Sequence, residues 1–400
     1  MMVENMSFTE KSKFLIKKID AEKETLFKIL QDYESFETAD DEISRSINCL
    51  SNISKEEKFL RDGKVEIISS FLPTNLPLYS LVLFGVVPSY ISKNVYLRPP
   101  KVGMEVIKRI FKVLDSNVHF PNLMLSSLSR SLFVESYVPS SSVTLFSGSD
   151  KNVDSIKNLC GKKSLFIFNG PGINPIVVGK KADVEKSVEK TIKARVFNSG
   201  QDCAGPDSIF VHSSLLNKYL KRLSEEIAVL GIGKYSDRNV RVGRLLDEKK
   251  VLQLGGIFLK NREYIVYGGS VDFRNRIVEP TIFLSNIKEK KNYEEWFSPV
   301  FWISEFKNDI ELGDYFDDIT YNDFAMYVTV FGDVNFSFKN SILLKDKIIL
   351  DIERGNTPYG GFGRRANFSF YTFNNEKIYN YRPILISKEI YDWKLNCGLQ

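Results

Sequence analysis

The sequence predicts an α/β protein made of two doubly wound units and small bridging strands. Two observations predict it. Short apolar runs alternate with amphipathic stretches along most of the chain, which signals mostly parallel sheets covered by helices on both faces. The 400 residues, 43% hydrophobic and 13% aromatic, also supply more core than one compact unit uses.

Residues 8 to about 60 read as helical. Phe14, Leu15, Ile19, Leu26, Ile29 and Leu30 recur at helical spacing among Lys and Glu. "KVEIISSFLP" then alternates as a strand does. No charge occurs from Ile67 to Ser92, but Pro73, Asn75, Pro77 and Pro88 break this run. It reads as buried strands and turns, "SLVLFGVVPSYI" among them, rather than as a membrane span. Strand, helix and strand follow in "NVYLRPP", "GMEVIKRIFKVLD", "SVTLFSGS", "NVDSIKNLC", "SLFIFNGPG" and "PIVVG". A Gly/Pro cluster, "NGPGINP", marks the boundary between the units near residue 170.

The second half repeats the style. "ADVEKSVEKTIKARVF" reads as a helix capped by Asp183, with Val184, Val188 and Ile192 on one face. "DSIFVH" is a strand. Ser214 is placed to cap the next helix, whose stripe is Leu216, Tyr219, Leu220 and Leu223. More strands are expected at "YIVYGG", "VEPTIFL", "VFWISEF" and "YVTVFG". No internal repeat or low-complexity linker is visible.

Composition narrows the function. Lys and Arg number 55 and Asp and Glu 50, interspersed, which does not suit a dedicated nucleic-acid surface. Cys49, Cys160, Cys203 and Cys397 lie far apart, and His119 and His212 are the only histidines. That disfavours a zinc site or a disulfide framework and points to reduced, cytoplasmic thiols. The charged first residues do not suit a secretory signal.

Cys203 is the sharpest chemical candidate. It follows a turn that Gly200 permits and precedes a strand, so backbone N–H groups can surround a carbonyl held there. A free cysteine is more often inert core. With two histidines in the whole chain, a protease-like Cys–His pair is disfavoured.

"FNSGQDCAGPDSIFVHSS" resembles the cysteine signature of the NAD(P)-dependent aldehyde dehydrogenase superfamily, F-x-N-x-G-Q-x-C, with Asn198 one place early. Other segments follow in the family's order. "PTNLPLYSL" is similar to P-W-N-F-P and puts Asn75 at the oxyanion-stabilising amide. "VYLRPPK" resembles the strand end V-x-L-K-P-S-E that holds the adenosine ribose, with Arg98 at the Lys and Lys101 at the Glu. "LFSGSD" resembles F-T-G-S, with Gly148 and Ser149 in the turn beneath the cofactor. "EEWFSPV" resembles E-E-x-F-G-P-V, giving Glu295 and Phe297 at the nicotinamide ribose. "NTPYGGFGRR" and "YTF" resemble the closing P-F-G-G and Y-T. The likeness covers about residues 65 to 390. The chain is shorter than usual for the family, with deletions before "VTLFSGS" and around residues 336 to 357.

The resemblance implies a cofactor-binding domain over 1–168 with a bridging strand at about 60–72, a catalytic domain over 169–370, and a bridging or oligomerisation segment over 371–400. It implies NAD or NADP as cofactor, a small aldehyde or acyl thioester as substrate, no metal, and a homodimer or tetramer. Arg98 and Lys101 in place of Lys and Glu favour NADP. Asp150, in the "DKNV" run that replaces a family glycine, makes the pyrophosphate turn less welcoming to an anion.

One departure bears on the reaction. Hydrolytic members carry a general-base Glu in E-L-G-G-K-x-P, and here Asn169 holds that place. An amide cannot take a proton from water. Coenzyme-A-acylating members lack this Glu and have a Gly-rich segment there, and "NGPGINP" is nearer to that style. The expectation is acyl-thioester reduction or acylating oxidation, with coenzyme A or a carrier protein as thiol. The alternatives are a hydrolytic enzyme whose base is Glu135, Glu185 or Glu295, and an inactive relative acting as scaffold. Phe133, Tyr137, Phe362 and Phe368 are candidates for an acyl tunnel or for core.

Overall fold

The computed structural model describes residues 6 to 399. Two seven-stranded sheets organise it. The first runs, from edge to edge, Glu376–Asn380, Asn367–Phe373, Leu165–Asn169, Val143–Ser147, Val65–Phe71, Ser92–Arg98 and Leu123–Leu125. Its five strands before residue 170 pair in parallel, with Ile68 between Val95 and Val143. The second runs Ile265–Tyr267, Thr281–Asn286, Val300–Phe306, Ile209–His212, Ile176–Val178, Tyr327–Phe331 and Ile342–Lys345. All its pairings are parallel except that of Ile265–Tyr267. The chain passes from sheet to sheet between Asn169 and Ile176, so the Gly/Pro cluster is the crossing.

Buried apolar side chains explain the layers. Helices Phe8–Ala21, Lys23–Leu30 and Phe36–Ser51 turn Leu15, Ile19, Leu26, Leu30, Ile43 and Leu50 into one core with Ile68, Leu97 and Val143. Helices Val184–Val196 and Leu216–Ala228 cover one face of the second sheet through Val188, Ile192, Tyr219 and Leu223.

Four expectations are corrected. Residues 77–90 are helical, not a strand, with a π-helical turn at Val82–Val86 just ahead of Pro88. This helix is buried all round, so no periodicity shows in its sequence, and the wide turn absorbs the N–H that proline lacks. The strand expected to bridge at about 60–72 is an interior strand of the first sheet, between Val143–Ser147 and Ser92–Arg98. The expected C-terminal arm instead extends that sheet as the antiparallel hairpin Asn367–Asn380, backed by helix Ile386–Cys397. Ser214 does not cap Leu216–Ala228; its hydroxyl pairs with His212 Nδ1 at 2.8 Å.

Candidate active site

Between the sheets lies a cleft of about 830 Å3. Cys203, Asn75, Arg98, Gly148, Ser149, Asn169, Glu295 and Phe297 all line it. Lys101 does not. It is exposed at the start of the short turn Lys101–Gly103. Neither histidine reaches the cleft.

The cysteine loop is locked from several sides. After helix Val184–Val196, residues 198, 199 and 200 take φ of 49°, 54° and 78°. Gly200 is needed there twice over: for its positive φ, and because a Cβ would stand 2.3 Å from the Ser298 carbonyl carbon. Gln201 donates to Asn198 O at 3.2 Å and accepts from Leu246 N at 2.8 Å. Beneath the loop, Arg195 is fully buried. Its guanidinium donates to Gly200 O and Pro206 O and pairs with Asp207, which is itself buried. On the other side Asn174 donates to Cys203 O at 2.7 Å. A Cβ at residue 172 would overlap Met326 Sδ, so any larger residue there would have to push that side chain aside.

Cys203 is partly exposed to the cleft. Burial of its sulfur, followed by the Asp202 and Glu295 carboxylates, pushes the thiol well above its ordinary range. Burial and Asp207 push Glu295 up to about 8. The resting site therefore holds a protonated thiol beside a largely protonated Glu295 at neutral pH. Asn75, 8% exposed, lies in the same wall between Pro73 and Pro77.

Asn169 ends its strand facing the cleft, and neither atom of its amide has a hydrogen-bond partner. The other proposed bases separate clearly. Glu135 is exposed away from the cleft, Glu185 pairs with Arg222, and only Glu295 lines the cleft. Glu353 also reaches it, but Tyr79 OH and Gly355 N occupy one of its oxygens and Arg45 the other. Phe133 and Phe368 are core, Tyr137 stacks on Tyr96, and Phe362 is exposed.

A phosphorylated dinucleotide suits the far end. There Arg98 and Arg130 both line the cleft, and burial, then the Arg130 cation, lowers the Arg98 pKa. Among the described residues neither joins an ion pair, and Arg98 Nε and Ser147 Oγ are buried without partners. Two guanidinium groups with no carboxylate between them offer a place for a phosphate. Arg130 was not singled out in the sequence, because it arrives from helix Arg130–Tyr137, outside every motif. Asp150 is neutralised by Arg365. The helix after it, Val153–Lys157, is only five residues long. Among the described residues no group of acidic, Cys and His side chains could hold a metal ion, and no helix is long and apolar enough to cross a membrane.

Residues 20–333 match the model of the aldehyde dehydrogenase family. The chain is 27% identical over 283 residues to benzaldehyde dehydrogenase YfmT of Bacillus subtilis, covering 66% of this chain and 56% of that one. It is 25% identical over 354 residues to lactaldehyde dehydrogenase of Methanocaldococcus jannaschii, covering 82% and 73%. The match thus spans little more than half of the Bacillus protein's length. In fold it is similar to an NADP-dependent enzyme of E. coli, with TM-score 0.77, 16% identity, and 94% and 86% of the two chains covered. It is also similar to glyceraldehyde-3-phosphate dehydrogenase GapN of M. jannaschii complexed with NADP, with TM-score 0.75, 19% identity, and 95% and 91% covered. The chain belongs to the aldehyde dehydrogenase family.

Proposed function

We propose that this protein is an NAD(P)-dependent oxidoreductase that interconverts an aldehyde and an acyl thioester through Cys203. The Cys203 sulfur, once deprotonated, attacks the aldehyde carbonyl. The oxyanion that forms takes hydrogen bonds from the Cys203 N–H and the Asn75 amide, each such donor being worth about 3 kcal/mol. Arg98, Arg130, Ser149, Glu295 and Phe297 would hold NAD(P), which when bound would supply the hydride acceptor, or the donor in the reverse direction. The acyl group then rests on Cys203 as a thioester until an acceptor removes it.

Asn169 carries the choice of acceptor. It shares the cleft with Cys203, and an amide cannot deprotonate water. A thiol with an accessible thiolate, such as coenzyme A or a carrier pantetheine, needs no such base. A second reading, hydrolysis to the acid, is favoured by Glu295, which lines the same cleft and becomes a free carboxylate above about pH 8. The names of the relatives, which are dehydrogenases of free aldehydes, also support it. Four free cysteines accord with a reducing, cytosolic setting.

Absorbance at 340 nm separates the two. We expect NADPH to be consumed with straight-chain acyl-CoA thioesters, and aldehyde oxidation to turn over repeatedly only when coenzyme A is present. Rapid oxidation without thiol would assign the hydrolytic reaction. Asn169→Glu should then convert the thiol-dependent enzyme toward hydrolysis.

A further inference from the structure

The helix Phe36–Ser51 carries a polar stripe, the buried Thr38 and Glu42 and the half-buried Arg45, at the i, i+4, i+7 spacing of one helical face. It belongs to none of the motifs, yet it touches both catalytic loops.

On one side it holds the cysteine loop. Thr38 Oγ1 accepts from Asn198 N at 3.1 Å, at the first of the three positive-φ residues before Cys203. The Arg45 guanidinium lies over the Phe197 ring, 5.4 Å from its centroid.

On the other side it holds the Asn75 segment. The helix after Asn75, Pro77–Leu81, starts badly. Its N-cap residue is Leu76, which has φ of 51° and no capping side chain. Pro77 has no N–H, and the next donors, Leu78 N and Tyr79 N, are buried orphans unless something accepts from them. Glu42 does so from 37 residues away. Its Oε1 accepts from Tyr79 N at 2.8 Å, and its carboxylate is also held by the Leu78 N–H. Tyr33 adds a bond from its hydroxyl to Thr74 O. Arg45 and Tyr79 then meet on Glu353, closing a ring from the helix back to the Asn75 side. Glu34 is fully buried beside Glu42, and burial, then the Glu42 charge, pushes its carboxyl well above the usual carboxylate range.

A left-handed Leu76 and a left-handed Asn198 are each strained and persist only where neighbours over-determine them. One rigid helix supplies neighbours for both. We propose that the helix Phe36–Ser51 sets the distance between the Asn75 amide and the Cys203 sulfur, and that Glu42 is the positioning residue for Asn75. This rests on the catalytic roles given above to Cys203 and Asn75.

The test uses two reactions of the Cys203 thiol that need neither the natural substrate nor a cofactor. With p-nitrophenyl acetate the sulfur attacks the ester carbonyl, an S–acyl bond forms, the C–O bond breaks and nitrophenolate leaves; the tetrahedral oxyanion needs Asn75. With iodoacetamide the sulfur displaces iodide, and no oxyanion forms. Glu42→Gln keeps the reach and the accepting oxygen, whereas Glu42→Asp keeps the charge but falls short of Tyr79 N. We expect Glu42→Asp and Glu42→Ala to slow acylation about tenfold or more, and Glu42→Gln to stay within about twofold of the parent. Iodoacetamide rates should not change. In an Asn75→Ala background the Glu42 substitutions should add less than about twofold, because they act through the missing amide.

Three outcomes overturn the proposal alone: Glu42→Asp acylating faster than Glu42→Gln, Glu42 effects that multiply with Asn75→Ala, or equal slowing of both reagents. Acylation that survives Asn75→Ala while Cys203→Ser abolishes it would remove the oxyanion role of Asn75, and the proposal with it. Acylation that survives Cys203→Ser would remove the catalytic role of the cysteine first.

Discussion

Asn174 Nδ2 donates to the Cys203 carbonyl oxygen over 2.7 Å, while Asn174 Oδ1 accepts from Tyr327 N at 3.3 Å. One buried amide thus ties the cysteine loop to the strand Tyr327–Phe331 of the second sheet. Asn174→Ala leaves a buried acceptor and a buried donor unpaired, at a cost of about 1–3 kcal/mol each. We expect a lower unfolding midpoint in urea and a fall in kcat larger than the change in KM. Wild-type kcat in a destabilised variant would show that the amide serves packing alone.

Arg98 and Arg130 line the same end of the cleft, and among the described residues neither joins an ion pair. Charge-assisted bonds to a phosphate are worth about 1.5–3 kcal/mol, or roughly ten- to a hundredfold in affinity. Arg130→Ala should therefore weaken NADPH binding by about that factor and leave NADH binding little changed, as read by fluorescence titration. Equal losses for both would place Arg130 elsewhere on the nucleotide. Lys101→Ala should affect neither.

The Cys203 thiol is raised first by burial and then by Asp202 and Glu295, so its thiolate fraction climbs as pH rises above neutrality. Asp202→Asn removes one negative charge while keeping the oxygen that accepts from Ala204 N at 3.1 Å. The sign follows: with a negative neighbour gone, the thiolate costs less and the thiol pKa falls. Each unit of lowering multiplies the thiolate at a given pH about tenfold. Iodoacetamide labelling of Cys203 between pH 7 and 9 should be faster in Asp202→Asn, with its profile moved to lower pH. Slower labelling, or no shift, would contradict the electrostatic account.

The strands and the cysteine loop were legible because their signals are local. Alternating apolar residues find their partners by period, and "SGQDC" carries its own turn glycine. Residues 77–90 misled because a helix buried on every side has no polar face to give it a period. Arg130 and the Thr38–Glu42–Arg45 stripe were invisible for a different reason. Their chemistry depends on what folds against them from 30 to more than 150 residues away, and polar residues at helical spacing read as a solvated face. Lys101 illustrates the converse: the right residue type beside the right motif, turned to solvent by the short helical turn it begins.

In the proposed reaction Cys203 carries the acyl group and Asn169 leaves water unable to remove it. Intact-mass and peptide analysis after mixing the protein with NADP and straight-chain aldehydes, with no thiol present, tests this directly. We expect a burst of about one NADPH per chain, one acyl adduct on Cys203, and renewed turnover when coenzyme A is added. Steady NADPH production without a thiol, or an adduct absent from Cys203, would contradict it.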